Sequence, residues 1–176
     1  SSPVYEGIAA ARDMKADAVL GLGGASAMDT AKAIAVGVPY AGDFWDFYCA
    51  KAAPKEALKL IAVPTLSAAG SEGSNSSVIT NDKLTLKRGL RSALIRPQLA
   101  IMNPALTYTA PREQKACGAA DILAHVFERY FTNTRDVALT DALGEALMRQ
   151  VIHSAPVMLA NPEDYASHAD IMWAGT

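Results

Sequence analysis

Asp121 and His125 stand four residues apart in a predicted helix, within the segment Gly118–Glu128. Side chains at positions i and i+4 lie on one helical face, so this spacing brings a carboxylate and an imidazole together. Both groups are ligands for a divalent metal ion, but a metal site needs three or four ligands. The pair is at most half of such a site. Taken alone, this spacing is more common as a local hydrogen bond on a solvated helix face.

A glycine-rich turn precedes another predicted helix. The segment Gly21–Lys32 contains Gly23, Gly24 and Ser26, follows a short apolar strand and opens a helix. Free backbone N–H groups and the helix dipole favour a phosphate at such a turn. Asp29 is expected in the first helical turn, where a carboxylate is also a favourable cap. The alternative is a tight turn with a capping serine, and the sequence alone favours neither.

A second turn of small residues, Pro64–Ser74, follows the next apolar strand, Leu60–Val63. Ligands of open α/β sheets bind at the carboxyl ends of the strands. Two such turns on neighbouring strands therefore predict a cofactor cleft. The alternative is a loop that only turns the chain.

Helices and strands alternate over the first hundred residues and then give way to helices alone. The pattern predicts a short helix within Gly42–Phe47, a hairpin-like turn at 79–83, helices at 4–14 and 27–36, and strands at 18–22, 60–63, 76–80 and 100–102. Further helices are predicted at 114–132, 135–159 and 164–173. The fold class is therefore an α/β, Rossmann-like domain with a mostly parallel sheet, followed by an all-α domain after a boundary near Asn103.

The composition excludes several classes of partner. With 51% hydrophobic residues, 19% charged residues and a net charge of -2, the chain lacks the basic excess needed for nucleic acid or anionic lipid. No apolar run could span a membrane, and no signal peptide is evident, so a cytoplasmic location is expected. Cys49 and Cys117 are predicted to be free thiols, with Cys117 packed beside the Asp121 helix. The abrupt start and end of the element pattern lead us to expect an internal fragment.

The chain resembles the iron-containing (group III) alcohol dehydrogenases, particularly their butanol dehydrogenase-like branch. Four blocks carry the resemblance, in the family's order and spacing: Gly23–Lys32, Pro64–Glu72, Asn103–Thr109 and Gly118–Glu128. It implies a dehydroquinate synthase-like architecture of which both parts are incomplete. Residues 1–103 would form the α/β dinucleotide-binding domain without its first strands, and residues 104–176 the start of the helical metal-binding domain.

The resemblance also implies site residues. Asp121 and His125 match two of four metal ligands, and the other two, both histidines, would lie beyond Thr176. His153 and His168 stand where the family commonly carries lysine or arginine, so both are expected to be exposed. The cofactor would be contacted at its pyrophosphate by Gly24, Ala25, Ser26 and Asp29, on its adenine and ribose side by Thr65, Leu66, Ser67 and Ala69, and nearer its nicotinamide by Ser76, Lys87, Leu106 and Thr109.

Three positions depart from the family pattern. Ala25 replaces a usual glycine, Ala69 a usual threonine and Asn103 a usual aspartate. A methyl group at Ala25 would push the pyrophosphate outward and Ala69 lacks a hydroxyl, so cofactor binding is expected to be weaker than is typical of the family. On the residues alone, Lys87 is a solvated surface lysine.

The implied function is hydride transfer between a nicotinamide cofactor, NADP or NAD, and a primary alcohol or aldehyde. Iron(II), with zinc as a substitute, would act as a Lewis acid on the substrate oxygen, in a full-length protein expected to be a homodimer. No proton-relay residue is identified. One alternative is a non-catalytic nucleotide-binding or assembly module with an incomplete metal site. Another is a related enzyme such as a glycerol dehydrogenase, against which Gly42–Asp46 and Leu106–Thr109 count.

Overall fold

A computed structural model describes all 176 residues, which divide into two compact units. The first unit comprises Ser1–Pro64 and Ser71–Ile101, and the second comprises Thr65–Gly70 and Met102–Thr176. The short segment Thr65–Gly70 therefore groups with the helical residues, which a single boundary near Asn103 does not anticipate. The functional assignment of residues 1–103 and 104–176 to two domains stays a prediction.

The first unit contains a parallel sheet flanked by helices, as predicted. Its elements are α1 (Ser2–Asp13), β1 (Ala18–Gly23), α2 (Ala25–Gly37), α3 (Trp45–Tyr48), β2 (Lys59–Pro64), β3 (Ser76–Asn81), β4 (Leu86–Arg91) and β5 (Leu99–Ala100). The parallel sheet has the order β1-β2-β5. Gly23 pairs with Pro64, so β1 and β2 end level with each other at their carboxyl ends.

The strands β3 and β4 form a separate antiparallel hairpin. The turn of this hairpin was predicted from the sequence, but β4 was not. Its residues Lys87, Arg88 and Arg91 break the apolar alternation that marks a half-buried strand, and only Leu90 of β4 is buried. The strand conformation of β4 depends on its pairing with β3, because the hydrophobic pattern of β4 alone does not predict a strand.

The main core of the first unit gathers side chains from α1, α2, α3 and the hairpin. The aromatic segment predicted to form a short packing helix does so, because Phe44, Trp45, Phe47 and Tyr48 are all buried there. Aliphatic residues complete this core: Val4, Ile8, Ala33, Val36, Ile79, Leu90 and Ile95. A smaller cluster joins Ala31 and Ala35 of α2 to Leu60 of β2.

The second unit is helical, as expected. It contains α4 (Arg112–Tyr130), α5 (Ala138–Ala160) and α6 (Tyr165–Gly175), preceded by a single 3-10 turn over Pro104–Thr107. The ends of these helices differ from the predicted ones by at most three residues. Apolar side chains from all three helices form the core: Ala119, Ile122, Val151, Met158 and Ile171. None of the helices combines the length and apolar character needed to cross a membrane.

Gly118 and Gly144 provide a matched test of packing in the second unit, since both lie inside helices. A methyl group at Gly118 would collide with the main-chain oxygen of Ser67, whereas at Gly144 its nearest neighbour is Val126 Cγ1 at 3.5 Å. We expect Gly118→Ala to destabilise the protein by about 1–3 kcal/mol through overpacking. Gly144→Ala should instead stabilise it by about 1 kcal/mol through helix propensity. Denaturant unfolding measures both, and a stabilised Gly118→Ala variant would show that Ser67 does not lie against α4.

Candidate functional site

Asp121 and His125 lie one turn apart on α4, and the predicted proximity of their side chains is confirmed. Asp121 Oδ2 and His125 Nε2 are 3.8 Å apart, and the two side chains are 45% and 46% exposed. Two donors at about 2.1 Å from one tetrahedral ion lie about 3.4 Å apart, so a small rotation brings both onto a shared metal. The donor pair therefore fits a divalent ion. No group of three or more His, Cys, Asp or Glu residues in the structure could hold one. That Asp121 and His125 are metal ligands stays a prediction.

His168 corrects one expectation. His153 is exposed on α5, as predicted, but His168 is only 1% exposed. It lies on the buried face of α6 together with Ser167, Ile171 and Met172. Its ring meets Tyr108 edge to face, with the ring centroids 4.9 Å apart. The prediction that His168 is an exposed helix residue was wrong because this helix buries an entire face.

His168 is part of a buried hydrogen-bonded cluster. Thr107 Oγ1 donates to the Pro104 carbonyl oxygen at 2.7 Å and is also hydrogen-bonded to His168 Nδ1. The Nε2 atom of His168 is buried. Lys115, buried beside this cluster, donates from Nζ to the Tyr108 carbonyl oxygen at 3.1 Å.

The cysteines are free, as predicted, but Cys117 is exposed on α4. It was expected to pack beside Asp121. Its neighbours Gly118 and Ala119 take the buried positions instead.

The glycine-rich turn after β1 leaves two donors available at the start of α2. Gly24 is the N-cap, and its carbonyl oxygen accepts from the N–H groups of Ala27 and Met28. Ala25 and Ser26 are the first two helical residues, whose N–H groups have no acceptor within a helix. The N-cap has no side-chain hydrogen bond, so the alternative of a capping serine is wrong. The arrangement is suited to an anion.

Gly23 shapes this turn. Its φ is +143°, and a Cβ atom there would lie 2.8 Å from Ala27 Cβ. Only glycine is accommodated without strain.

Asp29 lies deeper in the helix than the sequence suggested. It is the fifth residue of α2 and not part of the first turn. Its Oδ1 accepts from Ser71 Oγ at 2.7 Å, and its Oδ2 accepts from the Val78 N–H at 2.8 Å. The main-chain oxygen of Asp29 accepts from Ser77 Oγ at 2.9 Å. The carboxylate is thus engaged with the segment that leads into β3.

Lys32, one turn along α2, was not singled out from the sequence and is fully buried. Its Nζ donates to the main-chain oxygen and Oγ of Ser71 and to the main-chain oxygen of Ser76. Asp29 Oδ1 lies 3.9 Å from this ammonium. Burial lowers the pKa of Lys32, while the charges of Asp29 and Glu72 oppose that shift. A lysine among the small apolar residues of α2 was the signal that could have revealed it.

The other predicted cofactor contacts fall in both units. Ser76 begins β3 and shares a hydrogen bond with Ser74, their Oγ atoms being 2.8 Å apart, and Lys87 is exposed in β4. In the second unit, Thr65, Leu66 and Ser67 are half-buried, and Leu106 and Thr109 are exposed around the 3-10 turn. Ala69 is also exposed. That these residues contact a cofactor stays a prediction.

Comparison with known proteins connects these features to one family. Residues 1–104 match the family described as iron-containing alcohol dehydrogenase, and residues 115–176 match the C-terminal part of the Fe-containing alcohol dehydrogenase family. The chain is 39% identical over 175 residues to the probable NADH-dependent butanol dehydrogenase 1 of Bacillus subtilis, a match that covers 99% of this chain and 45% of that protein.

Two further similar proteins are also a reductase and a dehydrogenase that use a nicotinamide cofactor. The chain is 32% identical over 182 residues to the NADPH-dependent aldehyde reductase of Escherichia coli, covering 99% of this chain and 47% of that protein. The crystal structure of the NADH-dependent butanol dehydrogenase A of Thermotoga maritima matches with a TM-score of 0.95 at 35% identity, covering 98% of this chain and 43% of that one. The chain therefore spans slightly less than half the length of these proteins.

His168 should make stability depend on pH. Burial, followed by the nearby Lys115 charge, lowers the pKa of His168 below its ordinary value of 6.5, against the opposing effects of Pro162 and Asp164. The unfolded chain therefore binds the proton first as the pH falls. The free energy of unfolding should drop below about pH 6.5 and level off once the pH is below the folded-state pKa.

The variant His168→Asn can still hydrogen-bond to Thr107, as donor or acceptor, but does not titrate, so denaturant unfolding between pH 5 and 8 should show a flatter profile. His153→Asn, at an exposed histidine, is the control and should keep the slope of the parent protein. Equal slopes for the parent and His168→Asn would contradict this assignment.

Proposed function

Because the chain belongs to the iron-containing alcohol dehydrogenase family, we propose that it works in a metal-dependent, NAD(P)-linked oxidoreductase of primary alcohols or aldehydes. The observation that carries the proposal is the Asp121–His125 pair on α4, whose donor atoms lie at a separation suited to one ion. The names of relatives from Bacillus subtilis and Escherichia coli, a butanol dehydrogenase and an aldehyde reductase, support this class of substrate.

Asp121 and His125 are proposed to hold iron(II), or zinc in its place, with two further ligands supplied from outside these 176 residues. When bound, the metal supplies Lewis acidity at the substrate oxygen. The task of this chain is to present a carboxylate and an imidazole from one rigid helical face. Both side chains are half-exposed and have no other ion-pair partner, so neither must break a buried contact to bind.

The N-terminus of α2 is proposed to bind the pyrophosphate of the cofactor. Ala25 and Ser26 offer N–H groups at the positive end of the helix dipole, and Gly24 leaves room for close approach. Further contacts are proposed, as the resemblance implies, from Thr65, Leu66, Ser67, Ala69, Ser76, Lys87, Leu106 and Thr109. Relatives are named as NADH-dependent and as NADPH-dependent, so the proposal covers both cofactors.

A cytoplasmic location and a homodimeric assembly belong to the same proposal. Two free cysteines agree with a reducing compartment. The family resemblance supports the dimer.

A non-catalytic nucleotide-binding module is the second candidate. The observation that favours it is the start of α2, where the N–H groups of Ala25 and Ser26 suit an anion whether or not a metal binds at α4. Such a protein would bind nucleotide without turnover.

Removing either ligand should abolish metal binding. In the intact protein we expect Asp121→Ala and His125→Ala to lose both bound metal and the NADH- or NADPH-dependent reduction of butanal, because the remaining ligands cannot hold the ion firmly. Nucleotide affinity should persist. Metal analysis and turnover assays measure these losses, with His153→Ala as the control that keeps both. Nucleotide binding by a parent protein without metal or turnover would favour the module.

The variant Ser26→Asp adds a negative charge at the start of α2 and should weaken phosphate binding without lowering the stability of the protein. Ser26→Asp should maintain or raise the melting temperature, because an acidic residue in the first turn complements the helix dipole. It should also repel a pyrophosphate and abolish ADP binding, measured by calorimetry. Ala138→Asp, at the first residue of α5, is the matched control and should leave ADP affinity unchanged. Unchanged ADP affinity in Ser26→Asp would remove the N-terminus of α2 from the site.

A further inference from the structure

We propose that Lys32 and Asp29 are positioning residues of the cofactor site, and that the Asp29 carboxylate does not contact the pyrophosphate. This inference rests on the proposed nucleotide-binding function. It departs from the family-based expectation that Asp29 is a direct contact. The grounds are the hydrogen bonds that already engage both side chains.

The Lys32 ammonium uses all three of its donors inside the protein. They point to the Ser71 main-chain oxygen at 2.6 Å, Ser71 Oγ at 2.8 Å and the Ser76 main-chain oxygen at 2.8 Å. A fully buried cation that loses one of these acceptors suffers a large desolvation penalty. The segment from Ser71 to Ser76 is therefore held to α2 in one arrangement.

The Asp29 carboxylate is engaged in the same way. Each of its oxygens accepts a hydrogen bond, one from Ser71 Oγ and one from the Val78 N–H, and the Lys32 ammonium lies nearby. Its side chain is only 15% exposed. A pyrophosphate placed against this carboxylate would bring like charges together, which is unfavourable. Asp29 is better suited to neutralise Lys32 and anchor β3.

Together the two residues fix Ser76 from both sides. Lys32 holds the Ser76 main-chain oxygen, and Asp29 holds the Val78 N–H two residues further along β3. Both anchors project from α2, the helix whose first residues are proposed to bind the pyrophosphate. The distance between that helix terminus and the proposed Ser76 contact near the nicotinamide is thus set by Lys32 and Asp29.

The test compares affinities for ADP, NADH and NADPH in the intact protein. Lys32→Met preserves much of the side-chain volume but removes the charge and donors, and Ser71→Ala is a milder variant in case Lys32→Met does not fold. Both should weaken dinucleotide binding by about tenfold through displacement of Ser76, with a smaller effect on ADP. Lys51→Met, at an exposed lysine of the same unit, is the control and should bind all three ligands as the parent does.

Asp29→Asn distinguishes positioning from direct contact. Positioning predicts faster hydrogen exchange at the Val78 amide and weaker dinucleotide binding. Direct contact with the pyrophosphate predicts tighter ADP binding, because a repulsive charge has been removed, and that result would overturn the proposal. Unchanged dinucleotide affinity in folded Lys32→Met and Ser71→Ala would also overturn it while leaving the proposed function intact. A parent protein that binds no nucleotide would overturn both.

Discussion

The buried Lys32 ammonium is the interaction on which the first unit depends. The parallel sheet and the β3–β4 hairpin share no strand pairing, and α2 packs on both. Ala31 and Ala35 meet Leu60 of the parallel sheet, while Ala33 and Val36 join the aromatic core that includes the hairpin. Apolar packing of this kind is not directional, so it brings the hairpin close without fixing its position. Three charge-assisted hydrogen bonds from Lys32 provide that direction.

The second unit also uses a buried titratable side chain to hold a polar turn. His168 on α6 binds Thr107, and Lys115 on α4 binds the Tyr108 carbonyl oxygen, so the turn is attached to two helices. Lys32 and His168 differ in how many of their polar atoms have hydrogen-bond partners. Lys32 has all its donors satisfied, and the charges of Asp29 and Glu72 oppose the lowering of its pKa by burial. His168 has a buried Nε2 without a hydrogen-bond partner, and burial lowers its pKa below the ordinary value.

Most helices, strands and turns could be predicted from the sequence, because they depend on interactions between residues that are close along the chain. Hydrophobic periodicity revealed α1, α2 and the three long helices, and the spacing of Asp121 and His125 by itself placed them on one face. The strand β4, the burial of His168 and the role of Lys32 depend on partners distant in sequence, which periodicity cannot report. Asp29 shows the same limit, since its type suggested a helix cap and its hydrogen bonds to Ser71 and Val78 appear only in the fold.

The Asp121–His125 pair is separable from the packing of α4, the helix that carries it. Asp121 and His125 are half-exposed, whereas the residues of α4 in the core of the second unit include Ala119 and Ile122. In small zinc domains the metal supplies the folding free energy, but here α4 is held by apolar contacts that need no ion. An oxidoreductase and a nucleotide-binding module can therefore share this fold for these residues. Under the proposed function, what distinguishes them is whether two further ligands join Asp121 and His125 at a metal ion.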